Sequence, residues 1–404
     1  MRRHFFRRSV LSLSLTAAIS AHAAISDNVV KIGILTDMSG PYSSFGGKGS
    51  VVAAQLAIED CLQAECQGMK IEVLSSDHQN KADIAASKAR EWLDRDGVDA
   101  LADLTNSAAA LSIQKLIQEK GAVGLFTGAA TTRLTNEDCA PHSFHWMFDT
   151  YSASAGAAAA LTRAGGKSWY FLTVDYAFGH SLEKDASDMV KANGGNVLGA
   201  VRHPLNASDF SSFLMQAQNS KAQVIGMANA TQDAINTIKA AREFGINAQG
   251  QKLAALMLQV TDVHAMGLRV AQGLVSSEGF YWDLDDQTRD FSSRFEKVHK
   301  VKPNQVHAGV YSSVRHYLKA VAAAQSDKAD VVAAKMRALP IQDAVMRNAS
   351  IRPDGRVIHD MYLVEVKSPE ASKAPWDYYN IIATIPAETA FMPLAQSQCP
   401  LLKP

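Results

Sequence analysis

From Val29 to Leu35 the chain reads VVKIGIL, and the next turn signal is Ser39-Gly40-Pro41. A short run that is apolar on both faces predicts a strand buried on both sides, as in a parallel sheet. Small and apolar residues at helical spacing follow from about Lys48 to Leu62. The alternation continues with a strand over Lys70–Ser75 and a helix over Lys81–Arg95 that ends before Asp96-Gly97. A third strand spans Val98–Leu104, and a helix runs to Glu119 with Asn106 or Ser107 as its cap. Ala122–Phe126 is the fourth strand.

The pattern then starts again. Strands are predicted over Trp169–Val174, Asn196–Val201, Gln223–Ala228 and Lys252–Leu258. Helices fall over His180–Ala192, stopped by Asn193-Gly194-Gly195, and near Asp209–Gln218, Thr231–Phe244 and Thr261–Gly267. After Trp282 come three helical segments (about Gln287–His299, Gln305–Ala324 and Lys328–Leu339), then Asp354-Gly355-Arg356 and a long β stretch, Val357–Val366. A Pro-rich tail carries another strand near Tyr378–Thr384. Strands alternating with helices predict right-handed βαβ units. Two such halves without a low-complexity linker predict two α/β lobes connected by several short crossings.

Composition narrows the function. With 404 residues, 20% charged and 47% hydrophobic, long disorder and a polytopic membrane protein are disfavoured. Residues 1–23 combine Arg2, Arg3, Arg7 and Arg8 with apolar Val10–Ile19 and Ala21-His22-Ala23, the pattern of a signal peptide cleaved near Ala23. The twin arginines leave the Sec and twin-arginine routes both open. Without that segment 36 basic side chains face 40 acidic ones, which gives no electrostatic case for nucleic acid. Export makes disulfides the expectation for the four cysteines. Three pairings are possible; Cys61 and Cys66 are close in sequence, which leaves Cys139 with Cys399. The alternative is that one or both pairs stay reduced and packed.

Enzyme motifs fail one by one. Gly179-His180-Ser181-Leu182-Glu183 has Glu where a nucleophile elbow needs its second glycine. Phe45-Gly46-Gly47-Lys48-Gly49 lacks phosphate-loop spacing and the Ser or Thr after Lys. His142 and His145 lie in a Pro-containing loop without a trusted third ligand. No catalytic residue, metal or cofactor is therefore predicted. What remains are loops at the carboxyl ends of strands, where open α/β sheets bind ligands: Met38–Gly46, Thr105-Asn106-Ser107 and Thr127–Thr132. Each offers free backbone N–H groups at or near a helix start, a ready anion site.

These residues carry a resemblance. SGPYSSFG, the TNS segment, TGAATTRL, VDYAFGHSLE and the AREFG segment, in this order between Val29 and Val366, resemble the exported solute-binding proteins of branched-chain amino acid type ABC transporters. EGFYWDL, HAGVYSSVRHYLKA and the tail WDYYNIIATIP with CPLL resemble a proteobacterial subgroup. The resemblance implies the type I periplasmic binding fold: lobes of residues 29–149 plus 280–359 and 150–279 plus 360–404, with crossings near Phe148–Tyr151, Ser277–Trp282 and His359–Tyr362. It also implies a ligand carboxylate held by Ser107 and the Ala129-Ala130-Thr131 backbone. Phe45 and Tyr42 would wall the first lobe, Phe178 and Tyr176 would close from the second, and loops at Asn229–Thr231 and around Gln259 would complete the site. Core packing is the competing reading of Phe45 and Phe178.

One departure bears on the ligand. Amino-acid binders of the family place an acid after the second-lobe strand to pair with the ligand ammonium. Gln259 stands there instead, Asp262 is the nearest acid and could equally cap its helix, and a tyrosine expected near Thr231 is replaced. A buried ammonium without a carboxylate is costly. The expectation is a small carboxylate, as an amino acid, aromatic acid or keto acid, or an amide, with the last three favoured over a leucine-like ligand. Partners implied are ABC transporter permease subunits, with the protein a periplasmic monomer. An exported sensor partnered with a membrane receptor, or an unrecognised enzyme, is the alternative.

Overall fold

The computed structural model describes residues 25–246 and 250–402. The signal-peptide reading of residues 1–23 lies outside them. A first sheet is wholly parallel, with strand order β2-β1-β3-β4-β5: β1 is Val30–Thr36, β2 Ile71–Asp77, β3 Ala100–Asp103, β4 Val123–Phe126 and β5 Ser143–His145. Ile32, Ile34 and Leu35 are buried on opposite faces of β1. That two-sided burial is why VVKIGIL shows no polar alternation. A second parallel sheet has order β7-β6-β8-β9, with β6 Ser168–Val174, β7 Asn196–His203, β8 Val224–Ala228 and β9 Lys252–Ala255.

Helices α1 (Gly47–Leu62), α2 (Ala82–Glu91) and α3 (Ser107–Lys120) belong to the first half. Asn106 caps α3 by accepting from the Ala109 N–H at 2.9 Å, and Gly121, at φ 70°, ends it in the left-handed region. The second half carries α4 (Thr150–Arg163), α5 (Ala177–Ala192), α6 (Ser211–Asn219), α7 (Thr231–Glu243), α8 (Val260–Met266) and α9 (Leu268–Ala271). After β10 (Val275–Glu278) come α10 (Asp286–His299), α11 (Gln305–Ala324) and α12 (Ala329–Ala338), and both α10 and α11 pack on α1. The chain thus returns to the first half. A short pair, β11 (Ser350–Ile351) and β12 (Val357–Ile358), leads to β13 (Met361–Val366) and β14 (Tyr379–Ile385), which join β10 in an antiparallel sheet.

Three details differ from the sequence reading. The single stretch Val357–Val366 is broken at His359-Asp360, where the chain crosses between the halves. Lys252–Leu258 stops as a strand at Ala255, and of the residues after it Met257 lines the cleft while Leu256 and Leu258 pack into the core. Helix α4 and strands β5 and β10 had no forecast. TYSASAGAAAALTR has almost no polar face, because α4 is buried along most of its length, and SFH and VSSE are too short to show a period.

Two crossings lie side by side. The fully buried Arg356 donates to the Phe148 carbonyl at 3.0 Å, pairs with Asp149 at 3.4 Å and sits over the Phe391 ring at 4.3 Å. Asp149 in turn caps α4 through the Ser152 N–H. A buried guanidinium without these partners would be strongly destabilising. Both disulfides are present: Cys61–Cys66 at the end of α1, and Cys139–Cys399, which ties the tail to the loop before β5. Arg352 donating to the Met392 carbonyl at 2.6 Å and the Gln398 N–H donating to Asn136 at 2.5 Å hold the same tail.

Candidate functional site

The carboxyl ends of β1, β3 and β4 face those of β6, β8 and β9 across a closed cleft. Its centre is a small, nearly filled cavity lined by Tyr42, Phe45, Thr105, Ser107, Gly128, Ala130, Tyr176, Phe178, Ala230 and Met257. The walls are aromatic and small apolar side chains with few polar atoms, and none of the lining residues carries a charge. Tyr42, Phe45, Ser107, Ala130, Tyr176 and Phe178 were all anticipated from the sequence. Thr105, Gly128, Ala230 and Met257 were not singled out, though each lies in or beside a loop that was. Their contribution is bulk and backbone, which residue chemistry does not advertise.

The polar end of the cavity is built at the start of α3. Ser107 is the first residue of that helix, so its hydroxyl lies beside unpaired backbone N–H groups and the positive end of the helix dipole. The Thr131 N–H donates to Ser107 Oγ at a long 3.4 Å. Ala129 sits one step back, its carbonyl accepting from His145 Nε2 at 2.7 Å. Phe45 does both things expected of it: it lines the cavity and meets Phe148 edge-on at 5.9 Å.

Cleft closure is held by side chains from both sides. Tyr176 donates to Tyr42 at 2.8 Å, Thr131 and Ser181 share a hydrogen bond at 2.6 Å, and Thr231 donates to the Pro41 carbonyl at 3.0 Å. Thr132 donates to Asp185 at 3.0 Å, and Thr150 does so at 2.6 Å. Burial pushes the Asp185 carboxyl up to about 6 and drives both tyrosine hydroxyls above their ordinary range, so Tyr42 and Tyr176 stay neutral.

Asn229, Thr231 and Gln259 do not line the cavity. The Asn229 amide is engaged by His203 and Thr237, each at 3.1 Å, and Thr231 serves the closure contact. Gln259 is buried beside Met257, its Nε2 3.8 Å from the thioether sulfur and its Oε1 unpartnered. Asp262 accepts from the Gln259 N–H at 2.9 Å and so caps its own helix, and burial raises it to about 7. It does not reach into the cavity.

Residues 29–373 match the family model described as periplasmic binding protein. A crystal structure of a periplasmic binding protein from Burkholderia mallei is 51% identical, with TM-score 0.91 over 93% of this chain and all of that one. A branched chain amino acid ABC transporter periplasmic ligand-binding protein from Burkholderia xenovorans LB400 is 40% identical, with TM-score 0.82 over 92% and 99%. The Leu/Ile/Val-binding protein homolog 6 of Brucella suis biovar 1 is 25% identical over 91% of this chain and 95% of its own length. With its two-lobe type I fold and a cavity between the sheet ends, the chain belongs to the periplasmic binding proteins, the solute-binding components of ABC transporters.

Proposed function

We propose that this protein captures a small carboxylate without an amine, aromatic or keto acid, and presents it to the permease of an ABC uptake transporter. The observation that carries the reading is the charge inventory of the cavity. Ser107 and the start of α3 offer an anion site at one end, while no carboxylate faces the interior to pair an ammonium. Asp262, the acid nearest Gln259, is spent on the Gln259 N–H. An amino acid would leave its ammonium buried and unpaired, at a cost of several kcal/mol. An uncharged amide is the second reading, favoured by a lining without any charged side chain.

On this reading residues 1–23 direct export and are removed near Ala23, and the mature protein acts as a periplasmic monomer. Residues 29–149 with 280–359 form one lobe and 150–279 with 360–404 the other, with the tail at Met392, Gln398 and Cys399 fastened back onto the first. Ligand bridging the lobes contacts the closed state more than the open one and shifts the population toward it. The closed shape is what the permease reads.

The test is a thermal-shift panel on protein refolded from denaturant to strip bound ligand. Amino acids, benzoates, keto acids and amides are compared. A ligand at 100 times its Kd stabilises by about 2.7 kcal/mol. Shifts with acids and none with leucine, isoleucine or valine are expected; a leucine shift larger than that of its keto acid overturns the reading.

A further inference from the structure

A second carboxylate lies directly behind the cavity wall. Asp103 ends β3 with no exposure to solvent, and neither of its oxygens makes a hydrogen bond. It is surrounded by the hydroxyls of Ser50, Thr36 and Thr127, of which Ser50 and Thr127 also lack a partner. Two glycines make room for it. A Cβ at Gly128 would fall 2.4 Å from Asp103 Oδ1, and one at Gly46 would fall 2.5 Å from Oδ2. Gly128 and Thr105 line the cavity, and Gly46 follows Phe45, which also lines it. The backbone is committed to the same place: Asp103 and Leu104 are both left-handed, at φ 75° and 61°, and the Asp103 carbonyl accepts from the Thr127 and Gly128 N–H groups. Two consecutive non-glycine residues in that region carry strain that a packing role alone does not require.

Asp103 therefore touches all three loops that shape the polar end of the cavity, and the hydroxyls beside it favour its ionised form less than burial disfavours it. We propose that Asp103 is a positioning residue that takes up one proton from solvent when an anionic ligand enters, keeps it, and donates a hydrogen bond through it to a neighbouring hydroxyl. Two carboxylates separated by a glycine backbone in a dry site do not both stay ionised. In the free protein Asp103 is lifted to about 6, mainly by burial, so it is mostly ionised at neutral pH. Of the groups facing it, Asp37 adds its charge to the effect of burial on Asp103. Asp37 accepts from the Gly40 and Tyr42 N–H groups; His78, bonded to Thr105, is held neutral by burial; His307, donating to the Gly46 carbonyl, is pushed down to about 3.

The inference rests on the carboxylate reading of the site, and the experiment separates the two. Benzoate and 4-methyl-2-oxopentanoate are titrated calorimetrically at pH 6, 7 and 8 into wild type and Asp103→Asn. Both acids are fully ionised throughout, so they add no slope of their own. Wild-type Kd is expected to rise close to tenfold from pH 7 to pH 8, and the variant's to stay flat and lie at least tenfold below wild type at pH 8. Wild-type titrations at pH 7.5 in phosphate and in Tris report the proton directly, whether or not the variant folds, and close to one proton taken up is expected. Acid binding without proton uptake, or a slope that survives in Asp103→Asn, overturns this inference alone. Wild type that binds neither acid overturns the carboxylate reading and this inference with it.

Discussion

The Tyr176 hydroxyl donates to the Tyr42 hydroxyl at 2.8 Å, joining the loop after β1 to the loop after β6 across the cleft. Both rings also wall the cavity, so one pair of side chains closes the lobes and encloses the ligand. Tyr176→Phe keeps the ring and removes the bond. At about 1 kcal/mol, the ordinary net worth of a hydrogen bond, ligand affinity is expected to fall roughly fivefold. Small-angle scattering of the ligand-free variant should show a more open average shape. An unchanged scattering profile and affinity would remove the tyrosine pair from the closing equilibrium.

Ser107 is the side chain placed to hold the ligand carboxylate. Ser107→Ala is expected to weaken an acid by about 1.5–3 kcal/mol, the range for a hydrogen bond to a charged group, and to weaken an uncharged amide less. Calorimetry on a variant with wild-type circular dichroism checks this; equal losses for acid and amide would mean that the hydroxyl serves the fold rather than the anion.

The two disulfides close loops of very different length, with sequence separations of 5 and 260. Chain entropy assigns about 2 kcal/mol to the first and about 5.6 kcal/mol to the second. Urea unfolding of the Cys61→Ser/Cys66→Ser and Cys139→Ser/Cys399→Ser variants is expected to show the larger loss for the second pair. The Arg352 and Asn136 contacts would hold the tail in place in that variant, so the loss should appear in stability before it appears in ligand binding.

Asp185 gives a stability dependence whose sign is fixed. Its carboxyl is raised from 3.8 to about 6 by burial, so between those values the folded protein holds a proton that the unfolded chain has released. Its contribution is therefore fully present below about pH 4 and is lost as pH rises through 6. In Asp185→Asn that loss disappears. Relative to wild type the variant is expected to gain on the order of 1–3 kcal/mol between pH 4 and pH 7, measured by urea midpoints at both values. A pH-independent difference would mean that the Thr132 and Thr150 hydrogen bonds keep the carboxyl ionised at its ordinary pKa.

Much of this was legible in the residues. VVKIGIL, SWYFLTV and QVIGMA are continuous apolar runs because parallel strands are covered on both faces, and that texture survives without any tertiary information. Asn106 and Gly121 punctuate α3 through local hydrogen bonding and backbone sterics. Gln259 in place of an acid was visible too, as a question about the ligand. Its answer was not: whether Asp262 turned inward or capped α8 depends on the strand ending at Ala255 rather than Leu258.

Local pattern by itself determined most of the order of strands and helices, the two-half repeat, and the loops that would carry chemistry, because periodicity, caps and turns are short-range; α4, β5 and β10 escaped it. The cleft arrangement belonged to the tertiary structure. That Phe45 would both pack on Phe148 and line the cavity, that Asn229 would be consumed by His203 and Thr237, and that Asp103 would sit between Gly46 and Gly128 depend on residues far apart in the chain. Such meetings arise when the sheets and crossings are assembled, since burial and hydrogen-bond competition are settled by which distant groups arrive at one place, and a single sequence records the groups without recording their neighbours.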